Sequence, residues 1–161
     1  MAERASHLHK LVDNSACIYK NFIITGQQLI CHIYNFSKRL AAVAMSQKQI
    51  NNIISHKNNQ IPYGNNDIGT DEPEPDYNAC LYKLHTNNVR LLHANDKCVV
   101  AHTSFNNLAY RIMRSIKTYI NGNINGNING NIECINKLEH MLSDIQNILN
   151  TVNIKFASRY T

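Results

Sequence analysis

Between Ser6 and Lys57 the chain contains no proline and one glycine, Gly26. An apolar stripe runs through it at Leu8, Leu11, Ile18, Phe22, Leu29, Ile33, Phe36, Leu40, Val43, Ile50 and Ile54. The steps between them are threes and fours, or sevens where a polar residue takes the intervening place. That heptad-like stripe predicts one long helix. At 1.5 Å per residue it would be roughly 75 Å long, more than a compact domain of 18.3 kDa can enclose. Such a helix must lie along a partner of similar length. Ser6 is the expected cap, with a start near Asp13 as the alternative. Gly26 costs about 1 kcal/mol in a helix interior relative to alanine. It is tolerated where a neighbouring helix comes close; a local bend is the other reading. Ala41, Ala42 and Ala44 offer a second place for close approach.

The partner follows a break. Residues 58–76 hold all three prolines, Gly64, Gly69 and five of the 11 acidic residues, and read as a surface loop. A second helix is expected over 77–120, with Asp76 as its N-cap. Its stripe is Leu81, Leu84, Leu91 or Leu92, Cys98 or Val99, Phe105, Leu108, Ile112, Ile116 and Ile120. Two stripes of similar length predict an antiparallel hairpin. Residues 121–132 repeat Ile-Asn-Gly-Asn, which opposes both helix and regular strand and reads as a low-complexity linker. A shorter third helix is expected over 133–154, on Ile135, Leu138, Met141 or Leu142, Ile145, Ile148 or Leu149, and Val152. The tail from Lys155 to Tyr160 is basic and aromatic and reads as a frayed helix end. The expected fold is therefore all-α: two long antiparallel, coiled-coil-like helices plus a shorter third one, in a single helical domain. Two stripes this long exceed what the third helix can cover, so a homodimer is expected.

Chemistry is sparse. Among eight histidines, His85, His93 and His102 are eight and nine apart, whereas two ligands on one helix face need four, so no metal site is expected. His102, on the apolar stripe, reads as a hydrogen-bonded core or seam residue. No G-x-S-x-G, Walker A or G-x-G-x-x-G occurs, and nothing orders cysteine and histidine into a nucleophile–base pair. Neither catalysis nor a cofactor is expected. Cys17, Cys31, Cys80, Cys98 and Cys134 are dispersed and odd in number, as reduced, packed thiols of a cytoplasmic protein would be. The first residues show no apolar signal region, and no apolar run approaches a transmembrane length, so any membrane contact is peripheral.

Charge is the more informative feature. The formal net charge is +5 and the isoelectric point about 9.0, with only 17% charged residues. Between Ala16 and Lys57 the charges are Lys20, Lys38, Arg39, Lys48 and Lys57, with no acid. Between Tyr77 and Asn121 they are Lys83, Arg90, Lys97, Arg111, Arg114 and Lys117 against Asp96 alone. Two long helices with basic faces suit an anionic surface, where each basic group is worth about 1 kcal/mol. Solvation of the helix faces is the plain alternative. No zinc finger, RRM signature or aromatic-interleaved basic patch points to nucleic acid.

The segments Leu11-Val12-Asp13-Asn14 and Tyr19-Lys20-Asn21-Phe22-Ile23-Ile24-Thr25-Gly26 resemble the first helix of inverse-BAR (I-BAR, or IMD) domains. That family tends to show an Arg/Lys-Asn-Phe-Ile-x-x-Gly step there, then an alanine-rich run like Leu40-Ala41-Ala42-Val43-Ala44. More loosely, Cys80-Leu81-Tyr82-Lys83-Leu84 and Thr103-Ser104-Phe105-Asn106-Asn107 are similar to the family's second helix. The resemblance spans roughly residues 6–120. It implies an antiparallel homodimer with a convex basic face that binds phosphoinositide-rich membrane and promotes protrusions with actin or other cytoskeletal proteins. The matching basic positions are Lys20, Lys38, Arg39, Arg90, Arg111, Arg114 and Lys117. The family's third helix is longer and highly charged and its connector shorter, which favours membrane or partner binding here over membrane bending. The expected function is a non-catalytic, dimeric membrane-binding scaffold, peripheral and cytoplasmic. The alternative is a coiled-coil adaptor that binds other helical proteins without lipid.

Overall fold

A computed structural model describes residues 2–59, 76–124 and 132–161, with side chains over 16–59, 76–122 and 132–161. Three helices account for them: α1 (Ala2–Asn59), α2 (Tyr77–Ile124) and α3 (Ile132–Ala157). The fold is all-α, with two long antiparallel helices and a shorter third. α1 is already helical at Ala2, so Ser6 lies within the helix rather than at its cap. The body of the Pro- and acid-rich loop, and 125–131 of the repeats, lie outside the described residues. α2 runs four residues beyond the expected end, into the first repeat. A helix already held by the buried Ile120 can add a frayed turn past its last packed side chain. Asp76 caps α2: its carboxylate accepts from the Asn78 amide at 3.0 Å, and its carbonyl accepts from Cys80 N at 3.0 Å.

Contacts divide the chain into two compact units that share α1 and α2. The first comprises Met1–Tyr34 and Lys97–Thr161. Its core joins Phe22 and Leu29 of α1 to Phe105, Ala109, Ile112, Ile116 and Ile120 of α2 and to Leu138, Ile145, Leu149 and Val152 of α3. The tightest point is at Gly26. A Cβ built there would stand 3.0 Å from Cε2 of Phe105, which is fully buried and stacks on Phe22 with centroids 4.8 Å apart. Of the two readings of this glycine, close helix approach is the one the structure takes. Phe22 and Gly26 of α1 thus pack against Phe105 of α2.

The second unit, Asn35–Asp96, is a two-helix hairpin. Phe36, Ile50, Ile53 and Ala94 are its buried apolar residues. Ser46 is buried among them, its hydroxyl donating to Ala42 O at 2.9 Å and accepting from Asn87 Nδ2 at 2.7 Å. With no third helix in this unit, Tyr82, Met45 and Leu92 stay 74%, 66% and 65% exposed.

Some positions on the expected stripes face water. Ile18, Ile54 and Leu81 are exposed, while Ile53 is buried in place of Ile54. A 3.6-residue turn drifts against a repeat of 3.5, so a strict heptad template slips by one residue over several turns. The cysteines correct a second expectation. All five are free, but only Cys98 is buried, and Cys17 and Cys31 are exposed. The tail corrects a third. It carries α3 on to Ala157 and ends in a turn: Ser158 N bonds Ile154 O at 3.0 Å and Thr161 N bonds Ser158 O at 3.0 Å.

A candidate anion-binding groove

Within the first unit, α2 and α3 leave an open groove of about 1140 Å³. Arg111, Arg114 and Lys117 line it from α2. Their spacing of three makes them neighbours on one side of a helix. Ile112, Met113 and Ile116 occupy the places between them and are buried, which turns the three cations outward. All three basic side chains are exposed.

The facing wall comes from Gln146, Asn147 and Asn150 of α3, with Leu149 beneath them. α3 carries Glu133, Glu139 and Asp144 in its first half, and no acid follows Asp144. The wall opposite the cations is therefore made of neutral amides, which both donate and accept. Among the described residues an ion pair joins Lys137 to Glu133 at 3.6 Å on α3, and none engages Arg111, Arg114 or Lys117. Like charges three residues apart repel by a few tenths of a kcal/mol, so the arrangement does not serve the isolated helix.

The other basic positions do not join this cluster. Lys20 is exposed in the first unit but does not line the groove. Lys38 and Arg90 are exposed and Arg39 half-buried, all in the second unit. The amides of α3 had no part in the sequence expectation. Their signal was the acid-free run after Asp144, in which the polar positions between buried apolar ones are Gln146, Asn147, Asn150 and Thr151.

Next along the same pair of helices lies a polar seam. His102 Nε2 lies 2.9 Å from Asn153 Oδ1, Asn153 Nδ2 donates to Asn106 Oδ1 at 3.1 Å, and Asn106 Nδ2 donates to His102 O at 2.8 Å. The last two bonds fix the Asn153 amide so that its oxygen faces the imidazole, which makes Nε2 the donor. His102 is thus a hydrogen-bonded seam residue, as its place on the stripe suggested. Its ring stacks on Phe156 at 3.7 Å, and the Arg159 guanidinium stands 3.9 Å from the Phe156 ring centre. Cys98 lies in this region, and burial pushes its thiol pKa up, against a smaller opposing pull from Arg159.

Among the described residues no three His, Cys, Asp or Glu side chains gather as a metal ligand set, and no helix is long and apolar enough to cross a membrane. Comparison of the chain with protein-family models, curated proteins and solved structures found no match.

Proposed function

We propose that this protein is a non-catalytic membrane-binding and scaffolding module. It contacts anionic phospholipid peripherally, from the cytoplasmic side, through Lys20, Lys38, Arg39, Arg90, Arg111, Arg114 and Lys117. One observation carries the reading: over 16–57 and 77–121 the two long helices carry 11 basic side chains against a single acid, Asp96. Each cation near an anionic leaflet is worth about 1 kcal/mol, so several acting together hold a peripheral protein. The likeness of the Lys20–Gly26 step to inverse-BAR domains extends the proposal to an antiparallel homodimer acting with actin at membrane protrusions. Dimerisation gains support from the hairpin of Asn35–Asp96, whose exposed Met45, Tyr82 and Leu92 suit a protein neighbour.

Co-sedimentation tests the lipid reading. Binding to vesicles containing phosphatidylserine or phosphoinositide, absent with neutral vesicles and weakened by salt, is expected. Equal binding to neutral and anionic vesicles, or none at low salt, would sink it. Those same apolar side chains support a second reading, a coiled-coil adaptor for other helical proteins. Under that reading light scattering gives a monomer, a heteromeric partner is required, and charge-neutralised variants keep their function.

A further inference from the structure

We infer that the groove between α2 and α3 is a discrete binding site for a compact polyanion with several phosphomonoester groups on a polyol. The inference deepens the anionic-surface reading and rests on its premise that unbalanced cations mark an anion contact. It differs in placing that contact at one built site instead of along the helix faces.

Three features support it. Arg111, Arg114 and Lys117 line the groove with no ion pair to any described residue. Two guanidinium groups offer planar forks that match phosphate oxygens two at a time, and the lysine adds a mobile point charge. The opposite wall of Gln146, Asn147 and Asn150 supplies neutral amides, suited to hydroxyl groups and bridging oxygens and repelling neither. Arg111 and Lys117 stand six residues apart, roughly 9 Å along the helix axis, so a ligand that uses all three cations must be longer than one inorganic phosphate and carry more than one such group. Such chemistry reaches a protein either as a free soluble metabolite or as a lipid head group.

Calorimetry on the full chain with inositol hexakisphosphate tests the site without a bilayer. Saturable binding of one ligand per chain is expected. Arg111→Gln/Arg114→Gln/Lys117→Gln should weaken it by about tenfold or more, since the charge-assisted contacts are lost together. Lys48→Gln/Lys83→Gln/Lys97→Gln, equal in charge removed but outside the groove, should stay within about twofold. Should the groove triple fail to fold, Asn150→Glu sets an acid against the cations and must give the same loss. Absence of saturable binding at low salt, or equal loss in both triples, overturns the site. Vesicles separate the two proposals. A chain that sediments with phosphatidylserine vesicles but ignores the soluble polyphosphate keeps the surface reading and loses the groove. One that binds the soluble ligand but no vesicle keeps the groove and loses the membrane, and the ligand is then a free metabolite.

Discussion

Gly26→Ala and Gly122→Ala are the same substitution in helices, and they should move stability in opposite directions. An alanine in a helix interior is worth about 1 kcal/mol over glycine, because the folded chain gives up less backbone freedom. At Gly122 nothing lies within 4 Å of the new methyl group. That position is near the end of α2, where fraying dilutes the gain, so a few tenths of a kcal/mol of stabilisation is expected. At Gly26 the methyl carbon would stand 3.0 Å from Phe105 Cε2, inside ordinary van der Waals contact. The ring cannot swing away cheaply. Phe105 is 0% exposed and lies against Phe22 at an interplanar angle of 14°. Overpacking of that kind costs about 1–3 kcal/mol, which outweighs the propensity gain and leaves a net loss of about 1 kcal/mol. For a chain of this size that lowers Tm by roughly 2–4 °C. Urea titration followed by helical circular dichroism measures both variants. Repeating Gly26→Ala in a Phe105→Leu background should recover about 1–2 kcal/mol of coupling, since the flat ring edge is gone. If Gly26→Ala stabilises as much as Gly122→Ala, the close approach of α1 and α2 is not what holds this glycine.

Asn153→Leu strands the His102 Nε2–H and the Asn106 Oδ1 together, so a loss of about 2–4 kcal/mol in unfolding free energy by urea titration is expected, while Asn153→Gln loses less. Alkylation followed by peptide mass mapping should label the exposed Cys17 and Cys31 first and Cys98 last, because burial hides that thiol and raises its pKa. The same shift fixes a sign: above the ordinary thiol value of 9.0 the unfolded chain releases the Cys98 proton before the folded chain does, so stability falls as pH rises there.

The existence and type of all three helices were legible in periodicity, because long apolar stripes with few breakers leave little else for the backbone to do. The Asp76 cap and the seam role of His102 were legible for a related reason. Each is a local chemical need, an orphan amide or a polar ring on an apolar stripe, and a single residue meets it. Register was less legible. The shift from Ile54 to Ile53 and the burial of Ala94 and Ala109 follow from how closely the helices approach, and a stripe of large residues does not record that distance. The tail misled for want of a long-range contact. Lys155–Tyr160 looks like a fraying end in isolation, yet Phe156 fits between the His102 ring and the Arg159 guanidinium.

The groove shows why basic positions alone could not locate a site. Lys20, Lys38, Arg39 and Arg90 carry the same charge as Arg111, Arg114 and Lys117, and composition treats them alike. What separates the last three is the wall that α3 sets opposite them. That wall exists because Leu138, Ile145, Leu149 and Val152 bury one side of α3 in the core of the first unit and leave Gln146, Asn147 and Asn150 beside the cations. α3 belongs to the first unit, so Lys38, Arg39 and Arg90 of the second have no such wall within their own unit. A cation on an open face contributes through the summed field and is interchangeable with its neighbours. A cation in a groove acts through geometry and is not. Substitutions at Arg90 should therefore shift salt dependence gradually, whereas those at Arg114 should weaken a stoichiometric binding event.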